Sequence, residues 1–173
     1  ESGGEYNMVF SVNQCVQNAM SMVSVQMATH GIDVNMKLSE ELPDICGNPF
    51  RYEQVVLNLM SNAKDAIEER TKFDSDRNTA DSLPLVINVV TKIENNFIIL
   101  EVADNGSGID KKALKRVFDP FFTTKPPGKG TGLGLSISYG IIREMEGEIE
   151  IISLDQGTLI RVSIPAGDKA CEN

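Results

Sequence analysis

Apolar side chains recur with a helical period at Val12, Cys15, Val16, Ala19, Met20, Val23 and Met27, and Gly31 closes the run. Ser11-Val12-Asn13-Gln14 fits a capping box, with Phe10 placed as a hydrophobic staple toward Cys15. The period then drops to two. Ile32, Val34, Met36 and Leu38 alternate with polar residues and predict a half-buried strand. Asn48-Pro49 supplies an N-cap and a proline at the first helical position, predicting a second helix to about Arg70. Residues 71–84 are polar and turn-rich and read as a mobile loop. Strands over 85–92 and 97–103 meet across Glu94-Asn95-Asn96. Asp110 can cap a short helix through about Val117, and a Pro- and Gly-rich stretch follows from Asp119 to Thr131. A third long helix runs from about Gly132 to Glu146 and ends at Gly147. The last two strands, 148–153 and 158–164, form a hairpin around Asp155-Gln156-Gly157. There is no internal repeat and no regular βαβ alternation, so the pattern predicts one α+β layered domain, not a doubly wound sheet.

Composition narrows the partners. The 173 residues, 41% of them hydrophobic, suffice for one domain with a packed core. Sixteen basic residues against 25 acidic ones leave a net charge of −9, which excludes sequence-independent nucleic-acid binding. No apolar run approaches the roughly 20 residues of a membrane helix, and no signal peptide is present. The chain opens Glu1-Ser2-Gly3-Gly4 without an initiator Met and reads as a piece of a longer protein. Cys15, Cys46 and Cys171 lack metal-ligand spacing and read as reduced thiols of a cytosolic protein. The expected layout is a linker or remnant over 1–7, one domain over 8–166, and a flexible tail over 167–173.

Three segments carry candidate chemistry. On the second helix, Asn58, Asn62 and Asp65 fall within about 60° of one another, beside the apolar sector of Val55, Val56, Leu59, Ala63, Ala66 and Ile67. Such a stripe can be a plain solvated face. Asparagine is a poor helix former, however, and amide oxygens can ligate a hard cation such as Mg²⁺. Asp104-Asn105-Gly106-Ser107-Gly108 can be an ordinary turn, or a strand-end carboxylate that accepts from an exocyclic amine while glycines admit a flat base. Gly128-Lys129-Gly130-Thr131-Gly132-Leu133-Gly134 stands directly before a helix, where freed N–H groups and the helix dipole suit phosphate. It matches neither the P-loop nor the dinucleotide fingerprint. Lys125 and Lys129 are local positive charges in an acidic chain.

Taken in order, these segments resemble the boxes of the GHKL ATP-binding superfamily. Residues 58–66 resemble its N box, 104–108 its G1 box, 117–125 its F box, 128–138 its G2 box, and Gly157-Thr158 its late Gly-Thr element. The wording of Asp119-Pro120-Phe121-Phe122-Thr123-Thr124-Lys125 is similar to that of bacterial sensor histidine kinases, particularly nitrogen-regulator-like ones. The resemblance implies a Bergerat-fold sandwich, with a mixed, mainly antiparallel sheet covered on one side by three helices and an ATP lid over 119–131. It implies that Asp104 binds the adenine amine with help from Thr158, that Gly106 and Gly108 shape the adenine pocket, and that Asn62 ligates Mg²⁺. It further implies that Asn58 contacts the phosphates or their water shell. Gly130, Thr131, Gly132, Leu133 and Gly134 would cradle the phosphates, with Lys125 at the γ-phosphate. Phe118, Phe121 and Phe122 would anchor the lid.

The resemblance also implies partners: ATP or ADP, a dimerisation and histidine-phosphotransfer domain of the parent protein, and a response regulator, all in the cytoplasm. Membrane contact by this domain is not expected. Two departures shape the reading. Position 58 is Asn where hydrolytic superfamily members carry the Glu that activates water, and an amide cannot take that proton. No phosphoacceptor segment is present, since His30, the only histidine, sits at a helix end and reads as a dipole-favourable residue. Asp65 has no assigned role. Alternatives on the same fold are an anti-sigma-type protein serine kinase, against which Asn58 argues, and a non-catalytic nucleotide sensor.

Overall fold

The computed structural model describes residues 7–76, 83–125, 128 and 130–167. The chain enters through a short strand, β1 (Met8–Phe10), and turns into helix α1 (Val12–Thr29). Ser11 caps α1 as expected, its hydroxyl accepting from Gln14 N at 3.3 Å. The Phe10 ring packs against Tyr52, with centroids 5.8 Å apart, in the same core as Cys15, toward which a staple was expected. Strand β2 (Ile32–Leu38) follows, then β3 (Ile45–Gly47), which pairs antiparallel with β1 in a two-stranded sheet. Three-residue strands carry too few positions to show a period, so the sequence did not announce them.

Helix α2 (Pro49–Asp76) is longer than predicted, adding more than a turn to the expected end near Arg70. Its start is capped by Asn48, whose Oδ1 accepts from Phe50 N and Arg51 N at 3.1 and 3.2 Å. The extension hides from sequence reasoning because its one large apolar residue, Phe73, stays exposed. Of the loop expected over 71–84, residues 71–76 are helical and 77–82 lie outside the described residues.

The main sheet has the order β2-β4-β5-β7-β6, with β4 (Leu85–Glu94), β5 (Phe97–Asp104), β6 (Glu148–Ser153) and β7 (Thr158–Pro165). Only β2 and β4 run parallel; the other three pairings are antiparallel. Asn95 and Asn96 make the β4–β5 turn with φ of 50° and 65°, a left-handed conformation that Asn tolerates better than most residues. Helix α3 (Lys111–Leu114) is shorter than the expected helix to Val117. Helix α4 (Gly134–Glu144) starts two residues later than expected. The mixed α+β sandwich implied by the resemblance is the fold observed.

One face of the sheet carries the core. Ile87, Val89, Ile98, Leu100, Val102, Ile160, Val162 and Ile164 are buried with the inward faces of α1, α2 and α4. The opposite face is charged: Glu101 lies 2.7 Å from Arg161 and 3.1 Å from Lys92. That alternation is what one solvated and one buried face require. Cys46 is disulfide-bonded, which corrects the reading of three reduced thiols. Sequence separation says nothing about which thiols a fold brings together. Cys15 remains a free, buried thiol, pushed up to about 12 by burial and by the charge of Glu53. Cys171 lies outside the described residues.

A buried polar bridge ties the first helix to the sheet. Thr91 on β4 is 2% exposed; its hydroxyl donates to Asn13 Oδ1 at 2.7 Å and accepts from Ser39 N at 3.1 Å. Asn13 Nδ2 in turn donates to Ser39 O at 2.7 Å. Thr91→Val keeps the volume and removes the hydroxyl, leaving Asn13 Oδ1 short of its donor. Chemical denaturation should show a loss of about 1–3 kcal/mol.

Candidate functional site

Helix α2 presents its polar stripe between two contacts. Near its middle, the loop after β5 presses onto the helix backbone: Ser107 N donates to Ala66 O at 2.9 Å. Gly106 makes this possible, because a Cβ there would stand 2.4 Å from the Ala66 carbonyl carbon. The expectation that Gly106 shapes a base pocket therefore gains a prior reason, the approach of loop to helix. Two turns earlier, Asn58 Nδ2 donates to Gly134 O and Ser138 Oγ, both at 3.2 Å, tying α2 to the start of α4. The two contacts are eight residues apart, about 12 Å along the axis. Asn62 and Asp65 lie between them.

Asp104 ends β5 at the loop contact, paired across the sheet with Thr158 on β7 and Ile87 on β4. It is 7% exposed, and its Oδ1 accepts from Gly106 N at 2.8 Å. Burial pushes this carboxyl up to about 6, against the pull of the Gly106 and Thr158 N–H groups and the positive charge of Arg70. The Thr158 hydroxyl and Asn62 Nδ2 are buried without hydrogen-bond partners. An orphaned hydroxyl beside a desolvated carboxyl, and an orphaned amide on α2, mark a site built to receive something polar. Gly157 is required on backbone grounds: its φ is 86°, and a Cβ would sit 1.9 Å from Asp104 O.

At the other end, α4 begins at Leu133 with no side-chain cap. Thr131 Oγ1 accepts from Leu133 N at 3.3 Å, and Gly132, with φ of 67°, packs where a Cβ would stand 2.5 Å from Phe121 C. Phe121 N donates to Gly132 O at 2.9 Å, which pinches together the two ends of the stretch between them. Phe118 stacks near Tyr139 of α4 with centroids 5.3 Å apart, and Arg116 lies over the Phe122 ring at 4.7 Å. Phe121 itself is 75% exposed, so of the three expected anchors it does not pack. Pro126, Pro127 and Lys129 lie outside the described residues.

Lys125 reaches back to α2 and pairs with Asp65. Asp65 is also 3.2 Å from Lys64, Lys64 is 2.9 Å from Glu68, and Glu68 is 3.1 Å from His30 Nε2. The other ring nitrogen of His30 lies 2.7 Å from Gln26 O. Both nitrogens are engaged, in keeping with the helix-end reading of this histidine. Asp65, which the sequence left without a role, is the partner of the lysine it singled out.

A cavity of about 710 Å³ lies beside the loop, lined by Gly106, Gly108, Asp110, Arg70 and the β6–β7 turn. It shares the glycines with Asp104 but not Asp104, Asn62 or Thr158. The geometric void and the polar residues thus mark neighbouring regions, and the chemistry favours the latter. Among the described residues no group of three or more His, Cys, Asp or Glu could hold a metal ion. Sequence reasoning missed Ser138, whose one signal is a hydroxyl on the buried face of α4, and Arg70.

Residues 47–168 match the family described as histidine kinase-, DNA gyrase B- and HSP90-like ATPases. The chain belongs to this family. Its relatives include the two-component sensor PprA of Pseudomonas aeruginosa, 34% identical over 86% of this chain and 15% of that protein. The signal transduction histidine-protein kinase AtoS of Escherichia coli is 34% identical over 83% of this chain and 21% of that protein. The chain thus spans less than a quarter of the length of these relatives. Among solved structures, the catalytic domain of histidine kinase ThkA superposes with a TM-score of 0.74 at 23% identity, covering 92% of this chain and 95% of that one. Full-length ShkA superposes with a TM-score of 0.75 at 22% identity, over 95% of this chain and 32% of that one. The α2 stripe, the buried carboxylate and the uncapped α4 start all fall within the matched residues. Among the described residues no helix is long and apolar enough to cross a membrane.

A site that keeps a carboxylate buried before its ligand arrives should cost stability. The folded chain binds the Asp104 proton near pH 6, the unfolded chain only near about 3.9. The folded state is therefore favoured by this group at low pH, and that stability is lost as pH rises through 6. Asp104→Asn keeps the acceptor for Gly106 N and removes the charge. In nucleotide-free thermal melts it should raise Tm by several degrees at neutral pH, at about 2–4 °C per kcal/mol. The gain should vanish below about pH 4.

Proposed function

We propose that this chain is the catalytic, ATP-binding domain of a sensor histidine kinase, presenting the γ-phosphate to a histidine on a separate dimerisation domain. The observation that carries this is Asn58. Its amide sits at the α2 position where hydrolytic members of the superfamily carry a glutamate base, and it is held by Gly134 O and Ser138 Oγ. An amide takes no proton from water, so the site favours handing the phosphoryl group to another nucleophile. Relatives named as sensor kinases support the same choice.

Asp104 accepts a hydrogen bond from the exocyclic amine of adenine, and the unpartnered Thr158 hydroxyl joins it through water. Gly106 and Gly108 let the base approach the backbone. The backbone around Gly130, Thr131, Gly132, Leu133 and Gly134, at the positive end of α4, holds the phosphates, with Leu133 N exchanging its Thr131 Oγ1 partner for a phosphate oxygen. Lys125 leaves Asp65 to neutralise the γ-phosphate. Asn58 contributes its remaining oxygen to the phosphate water shell.

A divalent cation fits here on the donor set: Asn62 carries a buried Nδ2 that no protein group holds, so the amide is free to turn its oxygen outward. Magnesium keeps several waters and accepts few protein ligands, so one amide suffices. When bound, Mg²⁺ supplies charge neutralisation on the phosphate oxygens. Transfer itself is in line: the acceptor imidazole nitrogen forms the N–P bond, the bond from the γ-phosphorus to the bridging oxygen breaks, and ADP leaves.

The parent protein's dimerisation domain and a response regulator complete the scheme. ThkA has been solved in complex with the response regulator TrrA, and ShkA in complex with AMPPNP. The cytoplasm is where ATP is abundant, which supports a cytoplasmic location for this domain.

Asp104→Asn should weaken ATP binding by about 10- to 150-fold in calorimetry, the effect of losing a charge-assisted hydrogen bond. GTP, which offers a carbonyl where Asp104 needs a donor, should bind poorly to the unaltered chain. Incubated with radiolabelled ATP and a purified sensor-kinase dimerisation domain, the chain should label that domain and not itself. Stable phosphohistidine on His30, or equal affinity for ATP and GTP, contradicts the proposal.

A further inference from the structure

Behind the site carboxylate stands a buried cation that the phosphate chemistry does not use. Arg70 lies on α2, eight residues past Asn62, and is 8% exposed. Its Nη1 donates to Asn105 O, and its Nη2 donates to Leu83 O at 3.3 Å. Asn105 follows Asp104 in the chain and is itself fastened to the lead into β4. Val86 N donates to Asn105 Oδ1 at 3.0 Å, and Asn105 Nδ2 donates to Pro84 O at 2.7 Å. The guanidinium thus joins three segments, α2, the loop after β5 and the entry to β4, at the point where Asp104 is held. Arginine is rarely buried without a compensating arrangement, because desolvating its charge is costly.

We propose that Arg70 is a positioning residue for adenine recognition: its charge keeps the buried Asp104 carboxylate ionised at neutral pH, and its two hydrogen bonds hold the loop that carries that carboxylate. The inference rests on the adenine reading of Asp104. Asp104 makes a charge-assisted bond to an amine only while it is ionised, and desolvation works against the charge. The groups packed around it are Thr158 on β7, Ile87 on β4, and Asn105 and Gly106 in the loop, all uncharged. Among charged groups, Arg70 acts on it most strongly. A nearby opposite charge holds a carboxyl down by about 1–3 pH units. Without Arg70, Asp104 would titrate higher, and the site would hold less of its charged acceptor under working conditions.

Arg70→Gln removes the charge yet can still donate toward Asn105 O, whereas Arg70→Lys keeps the charge and loses the fork. ADP affinity is measured by calorimetry from about pH 6 to about pH 9 for both variants, for Asp104→Asn and for the unaltered chain. Taking the ratio to the unaltered chain at each pH cancels titration of the ligand. The expected result is an Arg70→Gln deficit of about 10-fold near neutral pH that closes to about 2-fold at about pH 9. Arg70→Lys should show no pH signature, and at most a constant deficit of about 2-fold from losing the fork.

A deficit that is the same at all pH values reduces Arg70 to a structural clamp and overturns the inference. So does an Arg70→Lys variant that titrates like Arg70→Gln. Should Arg70→Gln fail to fold by circular dichroism, the Asp104 carboxyl is followed directly by carbon NMR in the unaltered chain and in Arg70→Lys. An upward displacement of about one pH unit or more in the lysine variant overturns the inference, and an unmoved midpoint supports it. Asp104→Asn separates the two levels. If that variant binds ADP as well as the unaltered chain, the adenine reading itself has failed. If it binds weakly while Arg70→Gln shows no pH signature, only the role of Arg70 falls.

Discussion

The close approach of one loop to one helix sets the geometry of this domain. Gly106 lies against the backbone of Ala66, and Ser107 N shares the Ala66 carbonyl with the helix. A side chain at 106 would push the loop off the helix, and Asp104 would move with it. This contact converts a strand end and a helix face, unrelated in sequence, into two walls of one cleft. Its counterpart at the far wall is the Asn58 amide, which anchors the start of α4 at a fixed distance. The two anchors stand about 12 Å apart along the helix axis.

Placing polar groups in that cleft has a thermodynamic consequence. Asp104 is desolvated, and the Thr158 hydroxyl and Asn62 amide nitrogen lack partners. Each is a cost to the folded chain that a cognate ligand offsets. The rest of the fold supplies the surplus stability: a core shared by α1, α2, α4 and one sheet face, and the fully partnered Thr91–Asn13–Ser39 bridge. The contrast between a satisfied polar bridge and unsatisfied site atoms separates structural from functional polarity within one core.

Charge is handled the same way at both ends of the cleft. The chain carries a net charge of −9, yet it binds a polyanion in this reading. Its answer is local: Lys125 is parked on Asp65 beside the phosphate end, and Arg70 is buried beside the base end. Neither pairing is visible from the sequence, because Asp65 and Lys125 are 60 residues apart and Arg70 looks like any helix-surface cation.

Periodicity and caps determined most of the architecture in advance. The apolar stripes of α1 and α2, the Ser11 and Asn48 caps and the Asn95-Asn96 turn are local devices whose physics acts over a few residues, so the sequence alone discloses them. The ordered glycine- and asparagine-bearing segments likewise disclosed the family. Tertiary structure decided what depends on distant chain segments meeting: the β1–β3 pair, the disulfide at Cys46, the partnership of Asp65 with Lys125, and the exposed Phe121. It also decided why Asp104 titrates high and what stands behind it. Desolvation and Coulomb forces depend on distance in space, and no pattern along the chain encodes that distance.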